Sequence, residues 1–225
     1  MLTVTVQLPD LLKGDLSQTS KAAAYRAIYR TVDGIKTDIS KEVRNTFNVS
    51  KKDIDVRLDC RYPDDFDHLE GMVTLSEKAD GKSNLPLILF GASSRQTVGG
   101  QNMKLQFKSK SGMNQKVMKN AGKSGVSFKV LRSGGKGYRG DAQIMKGGGS
   151  SYQVVRFLKG VKGRKRIKEL RVISIPQMVM GKHGLLDRIK TAADVRMKTN
   201  YESALKYFLE NPAKVIAGSS KGGRS

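Results

Sequence analysis

Lys21-Ala-Ala-Ala-Tyr-Arg-Ala-Ile-Tyr-Arg30-Thr-Val-Asp-Gly-Ile-Lys-Thr-Asp-Ile-Ser40-Lys-Glu-Val-Arg-Asn-Thr-Phe47 decides how the chain reads. Its apolar residues Ala24, Ile28, Val32, Ile35, Ile39, Val43 and Phe47 recur every three or four positions. That spacing keeps one face of an α-helix aligned. The other face mixes charges: Arg26, Arg30, Asp33, Lys36, Asp38, Lys41, Glu42 and Arg44. Ser17 or Ser20 is the expected N-cap. Such a helix would be about 40 Å long at 1.5 Å per residue, longer than a small domain usually buries along one side. Neighbouring subunits are therefore expected to use it, with Arg26, Arg30, Lys36 and Arg44 as candidate subunit contacts.

On either side of this helix the pattern turns to strands. Residues 2–8 alternate before it. After it, Ser50 caps a single turn ending near Ile54, and Ile54, Val56 and Leu58 alternate with Asp55, Arg57 and Asp59 as a half-buried strand. Gly71-Met-Val-Thr-Leu75 predicts another strand, and Leu85-Pro-Leu-Ile-Leu-Phe90 is an apolar run ended by Gly91. Residues 93–124 read as an extended hairpin arm or a flexible loop insertion. Met103, Leu105 and Phe107 alternate there with Lys104 and Lys108, making Leu105 and Phe107 further candidate subunit contacts. Strands are expected again at 126–130, 142–145, 154–158 and 170–175, separated in part by Gly134-Gly135 and Gly147-Gly-Gly149. Pro176 opens the last element. A second long helix is expected from Leu185 to Phe208, its stripe made by Ile189, Ala193, Met197, Tyr201, Leu205 and Phe208. Residues 218–225 contain no large apolar side chain and read as a flexible tail. The expected fold is α+β: a long helix at each end of a mostly antiparallel sheet, in one domain over 1–217.

Charge is spread unevenly. The 225 residues carry 42 Lys+Arg and 20 Asp+Glu, a net of +22. Residues 1–100 balance 14 basic against 14 acidic residues. Residues 101–170 hold 18 basic residues and only Asp141 and Glu169 as acids. Self-repulsion on that scale calls for solvent, salt or a polyanionic partner. The densest run is Lys159 to Lys168. Arg156, Lys159, Lys162, Arg164, Lys165, Arg166 and Lys168 are the candidate contacts to DNA or to an acidic partner. Counterion release favours phosphate binding by such a run. Only Tyr152 and Phe157 lie near it as stacking aromatics, and no recognition helix is evident. A solvated turn, an acidic protein surface and non-specific DNA contact all remain open readings.

Catalytic and metal chemistry finds little support. Asn120-Ala-Gly-Lys-Ser124 resembles the end of a P-loop, but Val117 stands where the first glycine must curl around phosphate. His68 among Asp64, Asp65, Asp67 and Glu70 lacks the ligand order of a calcium loop, and His183 is the only other histidine. Arg139-Gly-Asp141 is too short to carry an adhesion reading. Cys60 is the only cysteine, so no intrachain disulfide forms, and a packed structural thiol is expected. No enzyme activity, cofactor or metal is expected. The start lacks a charged region followed by an apolar one, and no run approaches the ~20 apolar residues that span a bilayer. The reading is of a soluble protein made in the cytosol, with no membrane partner.

Four segments in order resemble the phage minor tail protein Z family, the tail-completion proteins of long-tailed phages. They are Lys21–Val32 leading to Val43-Arg-Asn-Thr-Phe-Asn-Val-Ser-Lys-Lys-Asp-Ile54, then Leu85-Pro-Leu-Ile-Leu-Phe-Gly-Ala92, then Gly125-Val-Ser-Phe-Lys-Val130, and last Val155-Arg156 through Ser174-Ile-Pro-Gln-Met178. The resemblance covers about 20–180. Residues 93–124 enlarge the family's loop, and the C-terminal helix is longer than the family leads one to expect. The resemblance implies a structural virion protein at the head-proximal end of a tail, in the neck, assembled in the host cytoplasm. It further implies a homo-oligomeric ring, most naturally a hexamer. The implied partners are the connector, the tail terminator, the tail tube or sheath, and genomic DNA in the lumen. The alternative is a non-specific nucleic-acid-binding protein using 101–170.

Overall fold

The computed structural model describes residues 2–7, 17–66, 68–75, 84–98, 101–108, 112–117, 124–146, 152–158 and 166–215. The fold is α+β, with a long helix near each end and antiparallel strands between. The chain gathers into two compact units. Unit 1 is Met1–Glu42, Asp55–Glu77 and Val179–Ser225; unit 2 is Val43–Ile54 and Lys78–Met178. The expected flexible tail, 218–225, lies outside the described residues.

In unit 1, β1 (Leu2–Gln7), β2 (Leu58–Arg61) and β3 (Glu70–Leu75) form a sheet of order β1-β3-β2. Val4, Val6, Val73 and Leu75 are buried. Helix α1 (Gln18–Thr46) starts at Ser17, whose hydroxyl accepts the Ser20 amide at 3.2 Å. Its stripe is buried as the spacing predicts: Ala24, Ile28, Val32, Ile35 and Ile39 in unit 1, and Val43 and Phe47 in unit 2. The stripe is thus covered within the chain along the whole length of the helix. At Gly71 the helix comes so close that an added Cβ would lie 2.5 Å from Val32 Cγ2 and 2.7 Å from Ile28 Cγ2.

Helix α4 runs Leu185–Glu210 against α1. Asn200 Nδ2 donates to Thr31 Oγ1 at 3.0 Å, Arg196 meets Asp38 at 2.7 Å, and Arg188 meets Glu42 at 2.9 Å. The contacts descend α4 as they ascend α1, so the two helices are antiparallel. Gly34 leaves room for the Arg196 side chain, which would lie 2.3 Å from a Cβ there. Ala22, Ala23, Ala204 and Phe208 close the far end. Ala204 is buried where Leu205 was expected, and Leu205 is half-buried.

Unit 2 begins with the last turn of α1 and α2 (Lys51–Asp55), whose first turn is capped by Ser50 Oγ accepting the Asp53 amide at 3.2 Å. The expected strand at 54–59 is therefore shorter and later. Once Ser50 caps a helical turn, Ile54 becomes its buried residue, and extended backbone starts only at Leu58.

Strands β4 (Ser93–Val98), β5 (Gln101–Lys108), β6 (Gly112–Val117), β7 (Gly125–Phe128) and β8 (Gly137–Arg139) make a five-stranded sheet of order β6-β5-β4-β7-β8. Within the arm, residues 93–98, 101–108 and 112–117 are thus antiparallel neighbours in a sheet. Strands β9 (Ala142–Lys146), β10 (Tyr152–Leu158) and β11 (Arg166–Glu169) make a second sheet of order β11-β10-β9. Leu105, Val126, Ala142, Ile144 and Val154 bury one side of each sheet in a shared core. Gln96 ties them together: its Nε2 donates to Ile144 O at 2.9 Å and its Oε1 accepts the Ile144 amide at 3.0 Å.

The strand expected at 170–175 is also corrected. Leu170 and Val172 instead bond to a short 84–87 segment, with Leu87 N to Leu170 O at 2.8 Å and Val172 N to Leu85 O at 2.9 Å. Ile175 then opens helix α3 (Ile175–Met180).

Gly71→Ala should lower stability by about 1–3 kcal/mol, because the new methyl meets two buried branched side chains that have no room to retreat. Urea denaturation of the purified protein measures this. An unchanged midpoint would mean that α1 and β3 separate freely.

Candidate functional site

The two units differ most in charge. Unit 2 holds 25 Lys+Arg against 4 Asp+Glu, a net of +21, whereas unit 1 holds 17 against 16. The entire excess of the chain but one charge therefore sits on the β-rich unit.

The helix candidates are placed as follows. Arg26 lies with its guanidinium 4.3 Å over the Tyr207 ring, inside unit 1. Lys214 and Arg26 beside the Tyr207 hydroxyl hold its pKa below the usual phenol value. Arg30 is exposed, while Lys36 and Arg44 are half-buried. The acids of the same face are engaged within unit 1. Asp38 and Glu42 pair with α4, and Asp33 accepts the Tyr62 hydroxyl at 2.7 Å. Tyr62 also stacks on Tyr29 with centroids 4.3 Å apart, and burial and the Asp33 hydrogen bond push its pKa upward.

Of the arm candidates, Leu105 is corrected. It is 5% exposed and packs in the core of unit 2, so it is not available to a neighbouring subunit. Phe107 lies in β5 opposite Met113; its side chain lies outside the described residues.

Among the basic-run candidates, Lys159, Lys162, Arg164 and Lys165 lie outside the described residues. The others come together. Arg156 stands directly opposite Lys168 across the β10–β11 pair, and Leu158 opposite Arg166. All three cations are exposed. They continue the side of the sheet that carries Ala142, Ile144 and Val154, past the edge of the core. Arg156 Nε meets Asp141 at 2.7 Å, both groups being nearly half exposed; such a pair adds about 0–1 kcal/mol. Arg166 thus belongs to a strand that was read as part of a turn.

A second gathering of cations lies on the five-stranded sheet. Arg95 pairs with Lys104, and Lys104 pairs with Lys116, so three cations stand in one row across β4, β5 and β6. The signal was absent from the spacing 95, 104, 116. It exists only once strand pairing sets the register.

Among the described residues no group of three His, Cys, Asp or Glu comes together for an ion. His68 bonds Asp65 at 2.9 Å. Cys60 is half-buried near Lys36, Asp33 and Asp59. Among the described residues no helix is long and apolar enough to cross a membrane. Compared with family models, with curated proteins and with solved structures, the chain has no match.

Burial raises the Cys60 pKa, Lys36 opposes the shift, and Asp33 and Asp59 add to it. Because the thiolate is the nucleophile, iodoacetamide should alkylate Cys60 more slowly than free glutathione near pH 8. Lys36→Met should slow it further and shift the pH–rate profile up. Asp33→Asn should speed it and shift the profile down. Mass spectrometry of quenched aliquots follows all three rates.

Proposed function

We propose that this chain is a structural virion subunit at the head-proximal end of a phage tail. In this reading it is a tail-completion or neck protein that works as a homo-oligomeric ring, through which DNA passes. The ordered resemblance over 20–180 supports it, together with the α+β fold that joins two long helices to antiparallel sheets. The observation that carries most weight is the partition of charge. A near-neutral helical unit accompanies a β-rich unit with net +21, an arrangement suited to a scaffold that presents cations to a polyanion.

In this account the contacts between subunits fall to exposed side chains, Arg30 on α1 among them, since the apolar stripe of that helix is spent inside the chain. Arg156, Arg166 and Lys168 are assigned to DNA or to an acidic neighbour in the neck. The ring's partners would be the connector and the tail proteins on either side of it.

Native mass spectrometry and electron microscopy test the reading. The purified protein, or the particles that contain it, should show a ring, and a hexamer weighs six times the 24.7 kDa chain. A protein that stays monomeric and is absent from purified virions contradicts it.

A second reading, a free nucleic-acid-binding protein, is favoured by the same cations on β10 and β11. It predicts tight DNA binding outside any particle, weakening steeply between about 50 and 200 mM salt. Chromatin- or plasmid-bound protein in cells without virions would favour it over the first.

A further inference from the structure

We propose that the open side of the five-stranded sheet in unit 2 is a docking face for the phosphate backbone of duplex DNA, centred on Arg95, Lys104 and Lys116. The inference deepens the reading of unit 2 as the polyanion-facing part of the subunit and rests on it. It names a different surface from the basic run on β10 and β11.

The geometry comes from the register. Strand pairing sets Arg95 opposite Lys104 and Lys104 opposite Lys116. Adjacent strands lie about 4.8 Å apart, so the row spans about 10 Å across the sheet. Arg95 and Lys116 are exposed and Lys104 is half-buried. Among the described residues no carboxylate pairs with any of the three. Like charges set directly opposite one another destabilise a sheet. A row of three therefore works against the fold unless an anion comes to lie on it.

A second row runs beside the first. Gln106, Ser93, Ser127 and Tyr138 are successive partners across β5, β4, β7 and β8. Ser93 and Ser127 share a hydrogen bond of 2.9 Å, and Gln106 and Tyr138 are exposed. Side chains alternate along a strand, so this row shares its side with the cations. The opposite side carries Leu105 and Val126 in the core.

Charge complementarity and composition select the occupant. Cations beside hydroxyl and amide groups are the side chains that contact phosphate and sugar oxygens. A protein partner would want a dry apolar centre with charge kept to the rim, and these two rows offer none. Single-stranded nucleic acid would want stacking aromatics, and Tyr138 is the one aromatic in the two rows. Duplex backbone, bound without base readout, fits best.

The test is fluorescence anisotropy of a short mixed-sequence DNA duplex against the full chain, across about 50–200 mM salt. The Arg95→Gln/Lys104→Gln/Lys116→Gln variant should bind at least about tenfold more weakly, and its log–log salt slope should be smaller by about 3, one unit per lost phosphate contact. Its Tm should be unchanged or raised, since the opposed charges are gone. Should the triple variant fail to fold, Lys116→Gln alone should reduce the slope by about 1. The control Lys182→Gln/Lys190→Gln/Lys198→Gln removes the same charge from unit 1 and should leave the slope unchanged.

The proposal is overturned if the wild-type chain does not bind the duplex, or if the control weakens binding as much as the sheet variant. It is also overturned if the sheet variant keeps the log–log salt slope of the wild-type chain. A ring that assembles in particles but ignores DNA defeats this inference alone; DNA binding by a chain that never enters a particle defeats the tail reading alone.

Discussion

Electrostatic repulsion within unit 2 is the constraint around which the rest of the structure is arranged. Its net charge of +21 is carried by a unit with four carboxylates. Two unit charges about 5 Å apart in a water-like dielectric repel by about 1 kcal/mol, and salt screens those further apart than about 8–10 Å. Opposed pairs such as Arg95–Lys104, Lys104–Lys116 and Arg156–Lys168 therefore matter most. What holds them is the core beneath: Leu105, Val126, Ala142, Ile144 and Val154, with Gln96 bonded both ways to Ile144. The cations sit on the outer side of one sheet and beyond the edge of that core on the other, where water and ions reach them.

Unit 1 solves a different problem. Its charges nearly cancel, and several are consumed in holding α1 to α4 through Asp38–Arg196 and Glu42–Arg188. Small residues set the approach distances. Gly71 admits Val32 and Ile28, Gly34 admits the Arg196 side chain, and Ala22 and Ala23 admit Ala204 and Phe208. Because α1 spends its apolar stripe inside the chain, assembly through the described part of this unit would use exposed polar groups such as Arg30 and the scattered exposed apolar residues Tyr29, Val56, Met180, Val195 and Leu209.

The sequence was most legible where one physical rule acted alone. The 3.6-residue period of α1 was readable because every stripe position is buried. The alternation of Met103 and Leu105 with Lys104 was readable because β5 has one side on a core. Reading failed where two rules competed. At Ile54-Asp-Val-Arg-Leu58 the alternation was overridden by a helical turn capped at Ser50. At Arg166-Ile-Lys-Glu169 the strand was hidden, since charge dominates a segment whose Ile167 is 58% exposed. The row Arg95–Lys104–Lys116 could not be read at all, because neighbours across strands depend on turn lengths and not on periodicity. The position of the charge in the chain was legible; the surface that presents it was not.

On the function proposed above, the excess charge of unit 2 is a working surface rather than a solvated by-product. Lysine acetylation rates, read residue by residue by mass spectrometry with and without a DNA duplex, test it most directly. Lys104 and Lys116 should be strongly protected, with Lys190 and Lys198 on α4 unaffected. Equal rates with and without the duplex, or protection shared evenly between the two units, would contradict it.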